Sequence, residues 1–402
     1  MRRVAITGLG AVTPAGLNAR DSWDGMVAGR SAIGPIELPR QEKITVPIAA
    51  QVKNFDPLLH FPRKDAGKLD RISQFAVVAA REALADSGLA LTPDLGGTAM
   101  CVLGTAVGGV GTMDDGCHMI YGEDRNRVPP LSIPKFMVNA AASQVSMDLG
   151  LRGTCFAIAS ACASGTHAIG TAFQAIRAGA ADIAITGGAE ACITVYIVVS
   201  WEALRVLSHD TCRPFSRDRS GLVLGEGAAI LILEELEHAC ARGARIYAEI
   251  TGFGANADAA DLTSPDPENI GRVMQLALAD AGLAPADIGY INAHGTGTAI
   301  NDVLEAGAIR RIFSNSPPLV SSIKGVVGHG IGAAGAIEAL ATALTLHHQI
   351  IPPTANHRAP DPEIGLDVVA DGARCIPLTH ALTNSFAFGG LNAVLAMRRY
   401  DL

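Results

Sequence analysis

The chain has 402 residues, 49% hydrophobic and 17% charged, with a net charge of −8 at neutral pH. That composition suits a large buried core, enough for two or three domain-sized units or one large duplicated fold. The absence of a Lys/Arg tract argues against a nucleic-acid partner. Eight cysteines without a C-x-x-C pair argue against a zinc or redox motif, and neither metal nor cofactor is expected.

The first stretch, RRVAITGLG, is strand-like at once and unlike a secretory signal, so a cytoplasmic protein with free thiols is expected. Its GLGAVT (Gly8–Thr13) is only a partial dinucleotide fingerprint, with Thr13 where the third glycine belongs. SQFAVVAAREALADSG reads as a helix and TAMCVLGTA as a strand leading to the turn GTAVGGVG. Between Arg152 and Arg177 there is no charged residue. A membrane span needs about 20 apolar residues. This run, however, holds Gly153, Gly165, Gly170 and several hydroxyls. It reads instead as a buried strand (CFAIAS), a tight turn and a buried helix (SGTHAIGTAFQAIRAG). ADIAITGG, AAILILEEL and RIYAEITGFG follow as strands, and NIGRVMQLALADAG as a helix. Strand IGYINAHG, helix DVLEAGAIRRIF, strand PLVSSIKG and helix AIEALATALTLHHQ come next. The turn NSFAFGGLNA leads into the last strand, AVLAMRR. This alternation predicts an α/β fold. One octapeptide recurs: ALADSGLA (Ala83–Ala90) returns as ALADAGLA (Ala277–Ala284), each copy closing a helix ahead of an apolar strand. Two duplicated halves sharing a central site are expected.

Cys162 follows a strand and precedes Ser164-Gly165 at a helix start. Unpaired N–H groups and the helix dipole there lower a thiol pKa and can hold an oxyanion. A nucleophilic thiolate at neutral pH is expected, with the other seven cysteines structural. His294, in NAHGTGT, lies just past a strand end, where α/β folds place ligands. His329 sits at the glycine-rich turn KGVVGHGIGAAG, five residues after Lys324. Either histidine alone reads as structural as readily as catalytic; two in matching settings beside one such cysteine point to catalysis. His167 reads as an internal hydrogen-bonding residue, and His347 and His348 as the polar close of a helix.

SACASG, NAHGTGT, KGVVGHGIGAAG and NSFAFGG, in this order and spacing, resemble the β-ketoacyl-[acyl-carrier-protein] synthases of the elongating synthase II type. The likeness covers nearly the whole chain. SWEALRVL…DTCRPFS and PPTANHRAPDP are similar to specialised relatives such as the nodulation ketosynthases. The resemblance implies a thiolase-like fold in five α-β-α-β-α layers, with a half over 1–245 carrying the cysteine and a half over 246–402 carrying both histidines. It implies a homodimer, or a heterodimer with a chain-length-factor-like subunit. The implied reaction is a decarboxylative Claisen condensation in fatty-acid or polyketide-type elongation, with acyl carrier protein as partner and no cofactor. By position, Cys162 is the nucleophile, His294 and His329 assist decarboxylation, and Lys324 supports them. The N–H groups of Cys162 and Phe388 form the acyl oxyanion hole, and Phe388 is the gate. Thr296 and Thr298 hold pantetheine, and Val107 and Trp201 line the acyl pocket. Lys64, Lys68, Arg127 and Arg205 form the basic patch for the acidic carrier protein. Ile323 and Leu391 stand where Thr is usual, and Gly67 where Arg is frequent, so substrate and docking details depart from the family pattern. A thiolase would need a second catalytic cysteine in a late glycine-rich turn, and Cys375 lies in ARCIPL. Chain-starting synthases use Asn where this chain has His329, and non-catalytic partner subunits usually lack the cysteine.

Overall fold

The computed structural model describes residues 1–400. Its main sheet has ten strands: β1 (Val4–Val12), β2 (Met100–Gly104), β3 (Cys155–Ile158), β4 (Ile183–Glu190), β5 (Gly227–Glu235), β6 (Ala248–Ala257), β7 (Ile288–Asn292), β8 (Leu319–Ser321), β9 (His380–Ala387) and β10 (Leu391–Arg399). They lie in the order β8-β7-β9-β10-β6-β1-β5-β4-β2-β3. Read inward from either edge, each set of five follows the same order: third, second, fourth, fifth, first. The pairing senses match as well, parallel across the outer three strands and antiparallel across the inner ones. A short antiparallel pairing of β1 with β6 joins the two sets.

Helix α1 (Arg71–Ser87) covers β1 and β5, and α2 (Ala140–Leu149) lies beside it over β2 and β3. On the other flank, α5 (Pro267–Ala281) covers β6 and β10, next to α6 (Ala299–Ile312). Between the two strand sets lie α3 (Ser164–Arg177) and α7 (Ala334–His348). Every residue from Ala334 to Leu346 is buried, as expected of a helix that is apolar all round and packed on both sides. The result is the five-layered α-β-α-β-α arrangement that the resemblance implies.

The duplication reaches beyond the octapeptide. ITGLGA in β1 recurs as ITGFGA in β6. A methyl on Gly8 or Gly10 would run into the Ala83 and Ala79 carbonyls of α1; one on Gly252 or Gly254 would meet the Ala277 and Val273 carbonyls of α5. The glycines of GLGAVT therefore let a helix lie directly on a strand.

Two local expectations are corrected, and one run left unassigned by the sequence proves to be a helix. CFAIAS is not a buried strand: β3 is the bare outer edge of the sheet, with Cys155 and Phe156 exposed. NSFAFGGLNA is not all turn: its first residues belong to the buried strand β9, where Asn384 and Ser385 are bonded to neighbouring helices. Asn384 Nδ2 donates to Glu305 of α6 at 3.1 Å, and Ser385 shares a hydrogen bond with Thr166 of α3 at 2.7 Å. VYIVVSWEA, though rich in β-branched residues, forms helix α4 (Val195–Ala203), started by the Thr194 side chain accepting from the Ile197 N–H. None of the helices among the described residues is long and apolar enough to cross a membrane.

Candidate active site

Two equivalent strand-to-helix turns build the site. After β3 the chain passes through a 3-10 turn (Ala161–Ala163) into α3; after β8 it passes His329 and a matching turn (Ile331–Ala333) into α7. Each turn starts in the left-handed region, at φ 49° for Ala161 and 48° for Ile331. Such a conformation is costly for a non-glycine residue, above all a β-branched one, and persists where the surroundings fix it. A side chain at Gly165 would collide with Ala336, so small residues let the two turns approach back to back.

A cavity of about 510 Å³ opens onto the pair. Cys162, His294, His329, Thr296, Thr298, Phe388, Trp201 and Arg205 all line it, Cys162 and both histidines being buried. The Thr296 and Thr298 hydroxyls lie 2.8 Å apart. Trp201 stacks on Phe388, ring centroids 5.5 Å apart. Arg205, assigned to docking, is an exposed residue of this same wall. Val107 does not line the cavity: it is exposed on the loop after β2, where its amide donates to Glu190. Lys64, in the short helix Arg63–Ala66, and Lys68, just after it, are exposed, and Arg127 sits in an exposed loop. Cys375, in a two-residue strand, is exposed and does not line the cavity. His167 bonds internally, its Nδ1 2.9 Å from Ser160 Oγ. His347 and His348 close α7.

The electrostatics differ from expectation at the thiol. Burial pushes Cys162 up to about 11, against the pull of Lys324 and of the Phe388 and Cys162 N–H groups aimed at its sulfur. The resting group is a neutral thiol, not the thiolate expected from its helix position: here desolvation outweighs the dipole. The converging N–H groups nevertheless form the arrangement required to hold an oxyanion there.

Burial, then the Lys324 charge, then His329, hold His294 well below its ordinary pKa; burial and Lys324 do the same for His329. Both imidazoles are neutral. His329 Nδ1 accepts from the Ile331 N–H at 3.1 Å, and His294 Nδ1 faces Lys324 Nζ at 3.4 Å. With Nδ1 accepting in each ring, the proton sits on Nε2, and the two rings, 5.3 Å apart and nearly perpendicular, have Nε2–H to offer. Lys324 also donates to the His294 carbonyl at 2.5 Å and pairs with Glu338. Burial raises Glu338 to about 7 although Lys324 pulls it down.

Sequence reading missed the carboxylates that hold this frame. Glu305 accepts from the backbone N–H groups of His294 (2.9 Å) and Gly295 (2.8 Å). Glu190 accepts from the Ala106 amide (2.7 Å), Thr105 (3.0 Å) and the Gly332 amide (3.1 Å). The available signal was a lone acid in an apolar run, as in AIEALATAL and GGAEACI. The Phe388–Gly390 turn is tied to the 258–266 loop: the Gly389 N–H donates to the Leu262 carbonyl (2.7 Å), and Asn392 Nδ2 donates to Asp258 (2.6 Å). Among the described residues no group of three or more His, Cys, Asp or Glu is placed to hold a metal.

Residues 1–239 match the N-terminal domain of beta-ketoacyl synthases and residues 247–358 the C-terminal domain. Nodulation protein E of Rhizobium sp. (strain N33) is 45% identical over 400 residues, spanning 99% of both chains. The 3-oxoacyl-[acyl-carrier-protein] synthase 2 of Staphylococcus aureus (strain COL) is 41% identical over 409 residues, spanning 100% of this chain and 99% of that one. Among solved structures, the ishigamide ketosynthase/chain length factor superposes with a TM-score of 0.94 at 37% identity, covering 100% of each chain. With that agreement along its full length, and with a buried cysteine and two neutral histidines on one cavity, the chain belongs to the beta-ketoacyl synthase family of acyltransferases.

Proposed function

We propose that this protein condenses a Cys162-bound acyl group with malonyl-[acyl-carrier-protein], with loss of CO2, in fatty-acid or polyketide-type chain elongation. The observation that carries the reading is the convergence of one thiol, two backbone N–H groups and two imidazoles on a single cavity. In the first half-reaction the Cys162 sulfur attacks the acyl thioester. The carbonyl oxygen takes negative charge facing the Cys162 and Phe388 N–H groups, and the carrier thiol leaves with the proton that Cys162 gives up. Because the resting thiol is protonated, this transfer has to deprotonate it. In the second half-reaction malonyl thioester loses CO2, and the electron pair passes to an enolate whose oxygen accepts from His294 and His329 Nε2–H. Neutral donors suit that task, and Lys324 keeps His294 in the donating tautomer. The enolate carbon then attacks the acyl carbonyl, and the Cys162 thiolate leaves. Thr296 and Thr298 are placed to hold the pantetheine arm, and Trp201 over Phe388 to limit the acyl chain.

The proposed setting is the cytoplasm, with halves over 1–245 and 246–402. The proposed assembly is a homodimer, or a pair with a chain-length-factor-like subunit, joined along the bare β3 edge. Val107 would reach the acyl pocket only in such an assembly. Cys162→Gln tests the reading. It removes the sulfur and offers an amide carbonyl to the oxyanion hole, so acyl loading and condensation should vanish while CO2 release from malonyl-carrier protein continues. Condensation that survives in this variant would reject Cys162 as nucleophile.

A further inference from the structure

Asn301 lies in the first turn of α6, three residues after Thr298. It lines the catalytic cavity and is only 7% exposed. Its Nδ2 is committed elsewhere, donating to Asp302 Oδ1 at 3.2 Å and to Glu305 Oε2 at 3.5 Å. Those two carboxylates hold the NAHGTGT turn. Asp302 accepts from the Gly297 N–H (3.2 Å, at Oδ1) and the Phe215 N–H (2.8 Å, at Oδ2). Glu305 accepts from the His294 N–H at Oε1 and the Gly295 N–H at Oε2. Each of the four carboxylate oxygens therefore already faces a backbone N–H and serves as an acceptor.

That pairing decides which way the Asn301 amide points. Turned over, it would set its own carbonyl oxygen against two acceptors. With Nδ2 facing the buried acids, Oδ1 lies on the other side of the amide. Among the described residues no donor bonds to Oδ1, and it is not sealed from solvent, so it opens toward the cavity that Asn301 lines. The Thr296 and Thr298 hydroxyls, paired with each other, line the same cavity. A pantetheine arm carries two amides, each with one carbonyl and one N–H. Hydroxyls can turn to donate to the carbonyls. Arg205, Arg219 and the two imidazole Nε2–H groups add further donors along this wall. An arm N–H needs the opposite partner, and Asn301 presents a carbonyl oxygen whose direction two buried acids fix.

We propose, on the condensation reading above, that Asn301 is a specificity-determining residue: its Oδ1 accepts an amide N–H of the pantetheine arm and selects thioesters whose arm carries that amide. An arm without the N–H would leave Oδ1 covered and unpaired, which is costlier than the bond itself is worth.

The test measures acyl loading of Cys162, by mass of the intact protein, from three thioesters: acyl-pantetheine and two analogues in which one amide or the other is replaced by an ester. The parent should prefer the natural arm over one of the two esters by about 10-fold in kcat/KM, chiefly through KM. Asn301→Leu keeps a similar shape without the oxygen. It also removes both Nδ2 bonds, so it should slow all three substrates, and the informative quantity is the preference. That preference should fall to about 2-fold or less, the remainder being the weaker ester carbonyl, which parent and variant feel alike. Asn301→Ala serves the same purpose if the leucine variant does not fold, and the parent's own preference needs no substitution. A parent indifferent to both esters would overturn the assignment. So would a preference that persists undiminished in the variant, which would leave Asn301 as a support for the turn alone. A parent that loads Cys162 from none of the three would instead bring down the condensation reading, and this assignment with it.

Discussion

The two halves share strand order, helix placement and even the strained turn, and differ at the outer edge and at the central residue of the turn. In the C-terminal half, the outer strand β8 is covered: the Val320 N–H donates to the Asp367 carbonyl (3.0 Å), and the Val369 N–H to the Val320 carbonyl (2.8 Å). In the N-terminal half, β3 has no such cover. Unpaired strand edges are ordinarily blunted, so a bare edge flanked by exposed Phe156, Ile133 and Met147 is where the proposed assembly would join. Within the turn, the N-terminal half has Cys162 where the C-terminal half has Gly332. A side chain on Gly332 would collide with the Ala106 amide and Glu190. One copy of the turn therefore carries the proposed nucleophile, while the other stays bare so that the halves can close, and its half contributes the two imidazoles.

That division of labour is broken most sharply by separating the half-reactions. In the Cys162→Gln background, His294→Ala and His329→Ala should each slow CO2 release roughly 10²- to 10³-fold, since each removes a donor to the enolate. In the unmutated-cysteine background, the same changes should leave single-turnover acyl loading far less affected. Labelled CO2 and the mass of the acyl-enzyme are the readouts. CO2 release indifferent to both changes would make the histidines structural.

The closure between halves should be visible in pH dependence. Burial raises Glu190 from an ordinary 4.5 to about 7, opposed by its N–H and hydroxyl donors. With the folded pKa above the unfolded one, the folded chain binds more protons between these values. The stabilising contribution is complete below about 4.5 and lost as pH rises through about 7. The size is about 3 kcal/mol at most. Urea midpoints should fall from pH 4.5 to 8 in the parent, and Glu190→Gln should flatten that fall. An unchanged slope would assign the pH dependence elsewhere.

A charge on the bare edge should cost less but act more selectively. Phe156→Lys should weaken self-association roughly 30-fold, about 2 kcal/mol, because the ammonium would be desolvated without a partner. Asp367→Lys, exposed beside the covered edge, should leave assembly unchanged. Sedimentation as a function of concentration distinguishes the two, and equal behaviour would place the interface elsewhere.

Much of this was legible before the structure. The period-2 and period-3.6 runs located nine of the ten main strands and the principal buried helices, because those elements bury one apolar stripe or two apolar faces. What escaped was governed by tertiary contacts. Asn384 and Ser385 disguise β9, since their place in a buried strand depends on partners from neighbouring helices, and those are far away in sequence. Val195–Ala203 is rich in β-branched residues but follows a good N-cap and packs Ile197, Val198 and Trp201 on the apolar cluster around Cys192 and Ile193. Motifs placed Cys162, His294 and His329 on one cavity, with Lys324 bonded to His294 behind it. The sign of the Cys162 shift was missed because a helix start is visible in sequence and the depth of burial is not. Val107 stands outside the cavity of the single chain, and its surroundings would change if another subunit covered the edge.

The smallest predicted effect concerns docking, and it extends the contrast, because every residue of the proposed basic patch comes from the N-terminal half. Lys64, Lys68 and Arg127 lie in the segments between β1 and β3, and Arg205 lies at the cavity wall. Lys68 is already paired with Asp65 at 2.8 Å, so part of its field is cancelled locally, whereas Arg127 has no ion-pair partner among the described residues. Exposed pairs contribute about 0–1 kcal/mol each, and attraction summed over several charges is screened by salt. Lys68→Glu/Arg127→Glu should therefore lower kcat/KM for acyl transfer from carrier protein about 3- to 10-fold at low salt, with the larger share from Arg127. The loss should shrink at high salt and be absent with a small thioester mimic, which makes no contact with the patch. Equal loss with both substrates would mean that these residues act on the cavity or on folding, and carrier-protein docking would have to be sought on another face.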